Sequence, residues 1–332
     1  MLIDETAGGL PDRGSWRSRG AATLSSLTLR QIGSVLPPEQ TWGLWTARQI
    51  IARVMDTFGP SLAGSTTIGV DTAHGGGRVV GEWVWGRGVS RRSASQAVYY
   101  VHGSGYALCS PRTHRRLAAW LSASTGLPVF TVDYRLAPRH RFPAAAEDVH
   151  RGWDWLTTSG GFAPENVVVA GDSAGGHLTV DMLLQPEVDH PAGVVLLSPL
   201  LDLTFSLARS QEAVRADPAI RSRDAARLIQ LYCAGIEPGH PRLRLDVAGG
   251  RPLPHTLIQA GGAEMLAADA LALDEDLRAA GGSSHLQIWP DQVHVFQALP
   301  RLTPEAAPAM AQITAFIAKA LRDNDSRVGQ VG

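Results

Sequence analysis

The fold is decided by one stretch near the middle of the chain, Asn166-Val167-Val168-Val169-Ala170-Gly171-Asp172-Ser173-Ala174-Gly175-Gly176-His177-Leu178. An apolar run typical of a strand comes first, a G-x-S-x-G motif follows at 171–175, and a helix-compatible stretch comes next. The small residues around Ser173 allow a tight, strained turn from strand to helix. The helix then directs its free N–H groups and positive end towards the serine. We therefore predict that Ser173 is a nucleophile at the end of a buried strand.

Short apolar runs alternate with helix-compatible stretches on both sides of this motif. The predicted strands are 79–85, 98–101, 129–132, 167–170, 194–197, 256–259 and 286–289, and the predicted helices are 112–123, 144–156, 175–184 and 267–280. The central runs are continuously apolar, as is typical of strands buried on both faces. The alternation predicts an α/β fold with a mostly parallel central sheet flanked by helices.

Two segments, 1–65 and about 203–243, do not fit this alternation. We expect residues 1–22 to be a loose leader, and the apolar spacing over 44–58 predicts a helix that ends at Gly59-Pro60. Trp42 and Trp45 on this helix have alternative interpretations, which are packing on a neighbour, lining an apolar pocket, or contact with a membrane surface. We predict that the two segments form a helical cap on a catalytic domain at 66–322, followed by a tail at 323–332.

The composition excludes several classes of protein. The chain has 332 residues, of which 44% are hydrophobic, and its net charge of −1 gives no electrostatic basis for binding nucleic acid. Cys109 and Cys233 lie far apart, so neither a disulfide framework nor a cysteine metal site is expected. The chain contains no run of 18 apolar residues and does not begin with a basic stretch followed by an apolar one. We therefore expect no spanning helix, no secretory signal and a cytoplasmic location.

A second glycine-rich turn lies upstream, where strand 98–101 leads into His102-Gly103-Ser104-Gly105-Tyr106. Such a turn can hold backbone N–H groups towards the negative charge that develops on a carbonyl oxygen during acyl transfer. The alternative is an ordinary turn between a strand and a helix.

Together these motifs resemble the hormone-sensitive-lipase branch of the α/β-hydrolase esterases. The family pattern G-D-S-A-G-G is complete at 171–176, and its H-G-G-G pattern is present as H-G-S-G at 102–105. Five further stretches are also similar to the family's sequences. They are D-Y-R-L-A-P at 133–138, F-P-A-A at 142–145, E-D at 147–148, S-P at 198–199 and D-L at 202–203. The resemblance covers 98–298 and implies an α/β-hydrolase fold whose oxyanion donors are the N–H groups of Gly103, Ser104 and Ala174. Ser104 departs from the family pattern, which has glycine there, and adds a side chain beside the reacting carbonyl.

The resemblance also implies a general base and an acid, in the chain order Ser, acid, His. His294 lies in I-W-P-D-Q-V-H-V-F-Q at 288–297, which is similar to the family's histidine segment. Glu264 occupies the family's acid position, two residues before a leucine, and Asp269 is the alternative.

Five other residues near these motifs receive structural roles. We expect His102 to anchor its loop, Asp172 to form hydrogen bonds, Cys109 to fill apolar space, and Asp133 to form a buried pair with Arg135.

The function that the resemblance implies is hydrolysis of short- to medium-chain carboxylic esters through an acyl-enzyme, with neither a metal nor an organic cofactor. Two alternatives remain, namely a deacetylase for a specific O- or N-acetylated metabolite and a hydrolase-like receptor. The expected partner is a small-molecule ester, whereas homodimerisation and peripheral membrane contact stay open.

Overall fold

The computed structural model describes residues 10–92, 94–103, 105–237 and 239–328. The strands are β1 Thr66–His74, β2 Gly77–Trp85, β3 Ala97–Val101, β4 Val129–Val132, β5 Val167–Asp172, β6 Gly193–Leu197, β7 Thr256–Gly261 and β8 Ser284–Trp289. The helices are α1 Trp16–Leu27, α2 Leu29–Val35, α3 Thr41–Phe58, α4 Pro111–Thr125, α5 Ala144–Thr157, α6 Ala174–Leu184, α7 Ser206–Val214, α8 Ser222–Cys233, α9 Ala267–Ala279 and α10 Ala306–Val328.

The strands form one eight-stranded sheet in the order β1-β2-β4-β3-β5-β6-β7-β8. Strands β3 to β8 pair in parallel, whereas β1 and β2 add an antiparallel edge. The predicted fold class is therefore confirmed. Strand β1 was not predicted, because its residues are mostly exposed and form no continuous apolar run.

Helices cover both faces of the sheet. Alternate residues of a strand point to opposite faces, so Tyr99 and Val101 of β3 join the apolar cluster that includes α5, α6 and α9. Val98 and Tyr100 join the other cluster, which includes α4 and α10. The parallel arrangement brings the carboxyl ends of the central strands to one edge, where the candidate site residues follow β3, β5, β7 and β8.

The described part of the segment before β1, which begins at residue 10, folds into three helices. The expected helix at 44–58 is confirmed as α3, but the expectation of a loose leader over 1–22 is wrong from Trp16 onward. Helix α1 is held by Glu305, which accepts hydrogen bonds from the backbone N–H of Ser15 at 2.5 Å and from the hydroxyl of Ser18. Apolar periodicity cannot reveal such polar attachment. Residues 1–9, the rest of the predicted leader, lie outside the described residues.

The insertion between β6 and β7 contains α7 and α8 and, in its described part, no strand. Helix α2 reaches it through Arg30, whose guanidinium binds Glu212 at 2.8 Å and the carbonyl oxygens of Asp217 and Ile220. We propose that the N-terminal helices and this insertion together form the cap. Helix α10 extends to Val328, so a helix rather than a tail continues past residue 322.

Candidate active site

Ser173 lies on the turn between β5 and α6. Its φ of +50° and ψ of −122° lie in a region that non-glycine residues rarely adopt. Its N–H donates to the carbonyl of Leu197 at 3.0 Å, and its carbonyl accepts from the N–H groups of Gly176 and Leu200 at 2.9 and 3.0 Å. These bonds hold the strained residue in place, and its side chain is half-buried.

The glycines on either side of Ser173 are required by close backbone approaches. A Cβ atom at Gly171 would lie 2.8 Å from the carbonyl oxygen of Gly175, and a Cβ at Gly175 would lie 2.1 Å from the carbonyl oxygen of Val101. The motif therefore allows α6 to pack directly against the end of β3.

His294 and Glu264 are joined by a hydrogen bond. His294 lies in the loop after β8, and its Nδ1 is 2.5 Å from Oε2 of Glu264, which is 1% exposed. With Nδ1–H donated to the carboxylate, Nε2 is the ring atom left to accept a proton. Of the two predicted acids, the structure brings Glu264 to the histidine.

The surroundings of His294 determine its pKa. Burial lowers the pKa of His294, but the negative charge of Glu264 and its hydrogen bond outweigh that effect. Asp217 and Asp172 add further negative charge, and the pKa of His294 lies above its ordinary value.

Glu264 is positioned by Ser198, which had been singled out only as part of the S-P stretch in the family resemblance. The hydroxyl of Ser198 donates to Oε1 of Glu264 at 2.6 Å and accepts the N–H of Val295 at 3.0 Å. The N–H of Gly261 donates to the same carboxylate oxygen at 2.6 Å. Ser198 follows β6, the neighbour of β7, so parallel strand order was the signal that could have placed it beside Glu264.

Asp269 is buried but occupied elsewhere. Its Oδ1 accepts the N–H groups of Leu201 and Asp202, each at 2.8 Å. Burial raises the pKa of Asp269 to about 7, against the opposing effect of those two hydrogen bonds. It holds the chain after β6 rather than orienting the histidine.

Asp217 was not singled out from the sequence, although it also belongs to this polar network. The side chain is 2% exposed, and its carboxylate accepts the N–H groups of Met265, Ala219 and Ile220 at 2.7–3.0 Å. The insertion is thereby fastened to the residue that follows Glu264.

The oxyanion prediction is corrected at Gly103. Its N–H donates to Oδ1 of Asp172 at 2.8 Å, so it is not free to bind an oxyanion. A buried carboxylate requires such donors, and a Cβ at Gly103 would lie 2.1 Å from Oδ2 of Asp172. Ala174 begins α6, where the first N–H groups have no partner within the helix. Ser104 lies outside the described residues.

Asp172 forms hydrogen bonds, as predicted. It accepts the hydroxyl of Tyr100 at 2.7 Å and lies 3.3 Å from Nε2 of His114. Burial raises its pKa, but the interactions with His114, Tyr100 and Gly103 outweigh burial and leave the pKa lowered.

His102 is fully buried and stacks on Tyr134 at a ring separation of 4.3 Å. Burial lowers the pKa of His102 to about 3, which fits an uncharged anchor of the loop.

Two other predicted structural roles have different outcomes. Arg135 pairs with Asp148 at 2.7 Å instead of with Asp133, because Asp148 on α5 also accepts the backbone N–H of Arg135. Cys109 is buried, and burial raises the pKa of its thiol to about 12, so it remains a neutral apolar side chain.

Ser173 and His294 both line a cavity of about 460 Å³. Its walls are mostly apolar, and they come from α1, α2, α3, α8 and the loops at the carboxyl edge of the sheet. Trp42 and Trp45 are not among the lining residues, and they are 56% and 61% exposed. These tryptophans therefore do not line the cavity that contains Ser173.

Comparisons with known proteins agree with the α/β-hydrolase fold. The model of a family with the α/β-hydrolase fold matches residues 98–298. Carboxylesterase/phospholipase LipF of Mycobacterium tuberculosis is 35% identical over an alignment of 246 residues. The match covers 70% of this chain and 64% of LipF. Esterase LipU of the same species is 35% identical over 68% of this chain and 78% of its own. An acetyl-hydrolase of Streptomyces hygroscopicus is 33% identical over 73% of this chain and 80% of its own.

The chain thus spans slightly less than two thirds of the length of LipF. Among solved structures, an esterase from the bacterial hormone-sensitive lipase family superimposes with a TM-score of 0.78. The two chains are 30% identical, and the match covers 92% of this chain and 97% of the other. The chain therefore belongs to the α/β-hydrolase-fold family, in its bacterial hormone-sensitive-lipase branch.

Proposed function

We propose that the protein is a serine carboxylesterase with Ser173 as nucleophile, His294 as general base and Glu264 as the acid. The observation that carries the proposal is the short Glu264–His294 hydrogen bond beside a strained serine, with serine and histidine opening on one apolar cavity. This arrangement supplies a nucleophile, a proton acceptor and an orienting carboxylate.

The reaction follows from these groups. Oγ of Ser173 attacks the ester carbonyl while Nε2 of His294 takes the hydroxyl proton, and Glu264 stabilises the imidazolium. The oxyanion is bound by the N–H of Ala174 and by the loop at 102–106, with Ser104 as the proposed donor there. His294 then protonates the departing alcohol, and the acyl group stays on Ser173. Water activated by His294 finally releases the carboxylic acid.

The substrate that best fits the cavity is a neutral ester with a short- to medium-chain acyl group. The cavity lies near the lower end of the range for small-molecule sites and is mostly apolar. A series of p-nitrophenyl esters of increasing acyl length tests this assignment. We expect kcat/KM to rise as the chain fills the cavity and then to fall, whereas a value that keeps rising with chain length would contradict it.

A second candidate is hydrolysis of a specific acetylated metabolite, because the relative from Streptomyces hygroscopicus is named an acetyl-hydrolase. A panel of O- and N-acetylated natural products distinguishes the two. A dedicated deacetylase would turn over one acetylated compound far faster than p-nitrophenyl butyrate, and a general esterase would not. A hydrolase-like receptor would leave the serine unlabelled by a fluorophosphonate.

We also propose a cytoplasmic location, a homodimer and peripheral contact with a membrane. In the described residues, no helix has both the length and the apolar character needed to cross a membrane. Light scattering after gel filtration measures the oligomeric state, and fractionation of the source cells tests the location.

A further inference from the structure

Helix α1 has its large apolar side chains on the outside. Ser18, Ala21 and Ser25 form its buried face, whereas Trp16 and Leu27 are 76% and 71% exposed. At 100° per residue, Trp16, Leu24 and Leu27 fall within an arc of about 80°. An ordinary surface helix buries its apolar stripe, so this exposed stripe requires an explanation outside the core.

The two following helices also expose large apolar side chains. Seven of the eleven large hydrophobic side chains that are exposed in the described residues lie between residues 16 and 45. We call these seven side chains the N-terminal patch, and they are Trp16, Leu24, Leu27, Ile32, Val35, Trp42 and Trp45. Exposed large apolar side chains concentrated in one segment of the chain are typical of an interaction site.

The segment that carries most of this patch is cationic. Residues 13–38 contain four arginines and no acidic residue, although the whole chain has a net charge of −1. One of the four, Arg30, is paired with Glu212 on the insertion. Arg17 donates to the carbonyl of Arg301 and Arg19 to the carbonyl of Gly14, so these contacts leave their charges uncompensated. Exposed Trp and Leu beside arginine are typical of helices that lie in the interface of an anionic membrane.

The N-terminal patch also adjoins the cavity. Leu24 and Ile32 are 55% and 38% exposed, and both also line the cavity that contains Ser173. A lipid-dissolved ester at this surface would therefore be close to the entrance of the cavity. A second copy of the chain fits less well, because a two-fold contact through this patch would bring the arginines of both copies together.

We propose that the N-terminal patch docks the protein on an anionic lipid surface and admits esters dissolved in that lipid to the cavity. The second part rests on the proposed esterase function, whereas docking does not. Docking is driven by insertion of the apolar side chains and by attraction of the arginines to anionic headgroups.

Sedimentation with vesicles tests docking without catalysis. The Ser173→Ala protein is mixed with vesicles of phosphatidylcholine alone or of phosphatidylcholine with phosphatidylglycerol. We expect binding to the anionic vesicles that weakens as salt is added. Changing Trp16→Ser and Leu27→Ser together should weaken that binding about tenfold or more. The matched control, Ile68→Ser with Leu271→Ser, removes two exposed apolar side chains from elsewhere and should bind as before.

Trp16 and Leu27 do not line the cavity, so the patch variant in the active background should hydrolyse dissolved p-nitrophenyl butyrate at the unchanged rate. On a longer-chain ester embedded in anionic vesicles, it should lose most of its activity. If the patch and control variants bound anionic vesicles equally well, docking through the patch would be overturned. It would also be overturned if the protein were a dimer and the patch variant a monomer. If the protein bound vesicles but hydrolysed no ester, docking would be supported and the proposed esterase function would be overturned.

Discussion

His294 has to be neutral before its Nε2 can accept the proton of Ser173, so activity should rise with pH through the pKa of this histidine. The charge of Glu264 and its hydrogen bond outweigh burial and raise that pKa. As pH falls, activity should therefore be lost at a higher pH than it would be for an ordinary histidine, whose pKa is about 6.5.

Glu264→Gln should move the acid limb of the pH–activity profile, where activity is lost as pH falls, to lower pH. The reason is that the amide cannot stabilise the imidazolium. The plateau value of kcat should also fall, by about 10²–10⁴-fold. The pH profile of kcat/KM for p-nitrophenyl butyrate measures the shift. Asp269→Asn changes a carboxylate that is equally buried but does not contact His294, and it should leave the limb in place. An acid limb that Glu264→Gln fails to move would contradict the assignment.

Ser198 is a positioning residue, because it is buried and acts on His294 only through Glu264 and the N–H of Val295. Ser198→Ala should reduce kcat about tenfold with little change in KM, and should cost about 1–3 kcal/mol of unfolding free energy. Ser122→Ala is the matched control, since its buried hydroxyl also joins two segments, Gly86 and Leu127, far from the cavity. For Ser122→Ala we expect a similar loss of stability and an unchanged kcat. If kcat fell to the same extent in both variants, the positioning role of Ser198 would be refuted.

The sequence allowed Ser173, Glu264 and His294 to be singled out because each lies in a short motif next to a predicted strand. Ser198 and Asp217 were missed because their partners are distant in the chain and become neighbours only in the folded sheet. The assignment of Gly103 as a donor was wrong for a related reason. Its N–H is bound by Asp172, a residue 69 positions away.

At the scale of elements, the turn between β5 and α6 depends on the absence of a side chain at Gly175. A Cβ there would lie 2.1 Å from the carbonyl oxygen of Val101, and a backbone atom cannot move aside cheaply. Gly175→Ala should cost at least about 1–3 kcal/mol of unfolding free energy and most of the activity. Urea unfolding measures the first and ester turnover the second.

Gly20→Ala is the control for Gly175, because a Cβ at Gly20 on α1 would have no atom within 4 Å other than those of its chain neighbours and the backbone of its own helix. Alanine should stabilise that helix by about 0.5–1 kcal/mol. If both substitutions were neutral, close packing of α6 against β3 would not be what requires glycine at 175.

The elements that could be predicted are those whose apolar pattern serves the core. Strands β2 to β8 and helices α3 to α6 and α9 follow this rule. Helix α1 does not, because its buried face is small and polar and its large apolar residues are exposed. Strand β1 does not either, because it lies at the edge of the sheet with little apolar burial.

At the scale of the whole molecule, Arg30 connects the N-terminal helices to the insertion, whose helix α8 lines the cavity. Its contacts with Glu212 and with the carbonyls of Asp217 and Ile220 are partly buried. Arg30→Ala should raise KM for medium-chain esters about five- to tenfold and affect acetate esters little, because it loosens the cap. Arg78→Ala breaks an exposed pair with Asp71 on β1 and should change neither value. Equal effects on both ester classes would argue against a role in closing the cavity.

The central claim is that Ser173 carries the acyl group, and mass spectrometry after fluorophosphonate treatment tests it most directly. We predict one adduct per chain on the intact protein, located on the peptide that contains Ser173. The Ser173→Ala protein should acquire no adduct and should hydrolyse no p-nitrophenyl butyrate. An adduct on another residue, or ester hydrolysis that survives Ser173→Ala, would contradict the account.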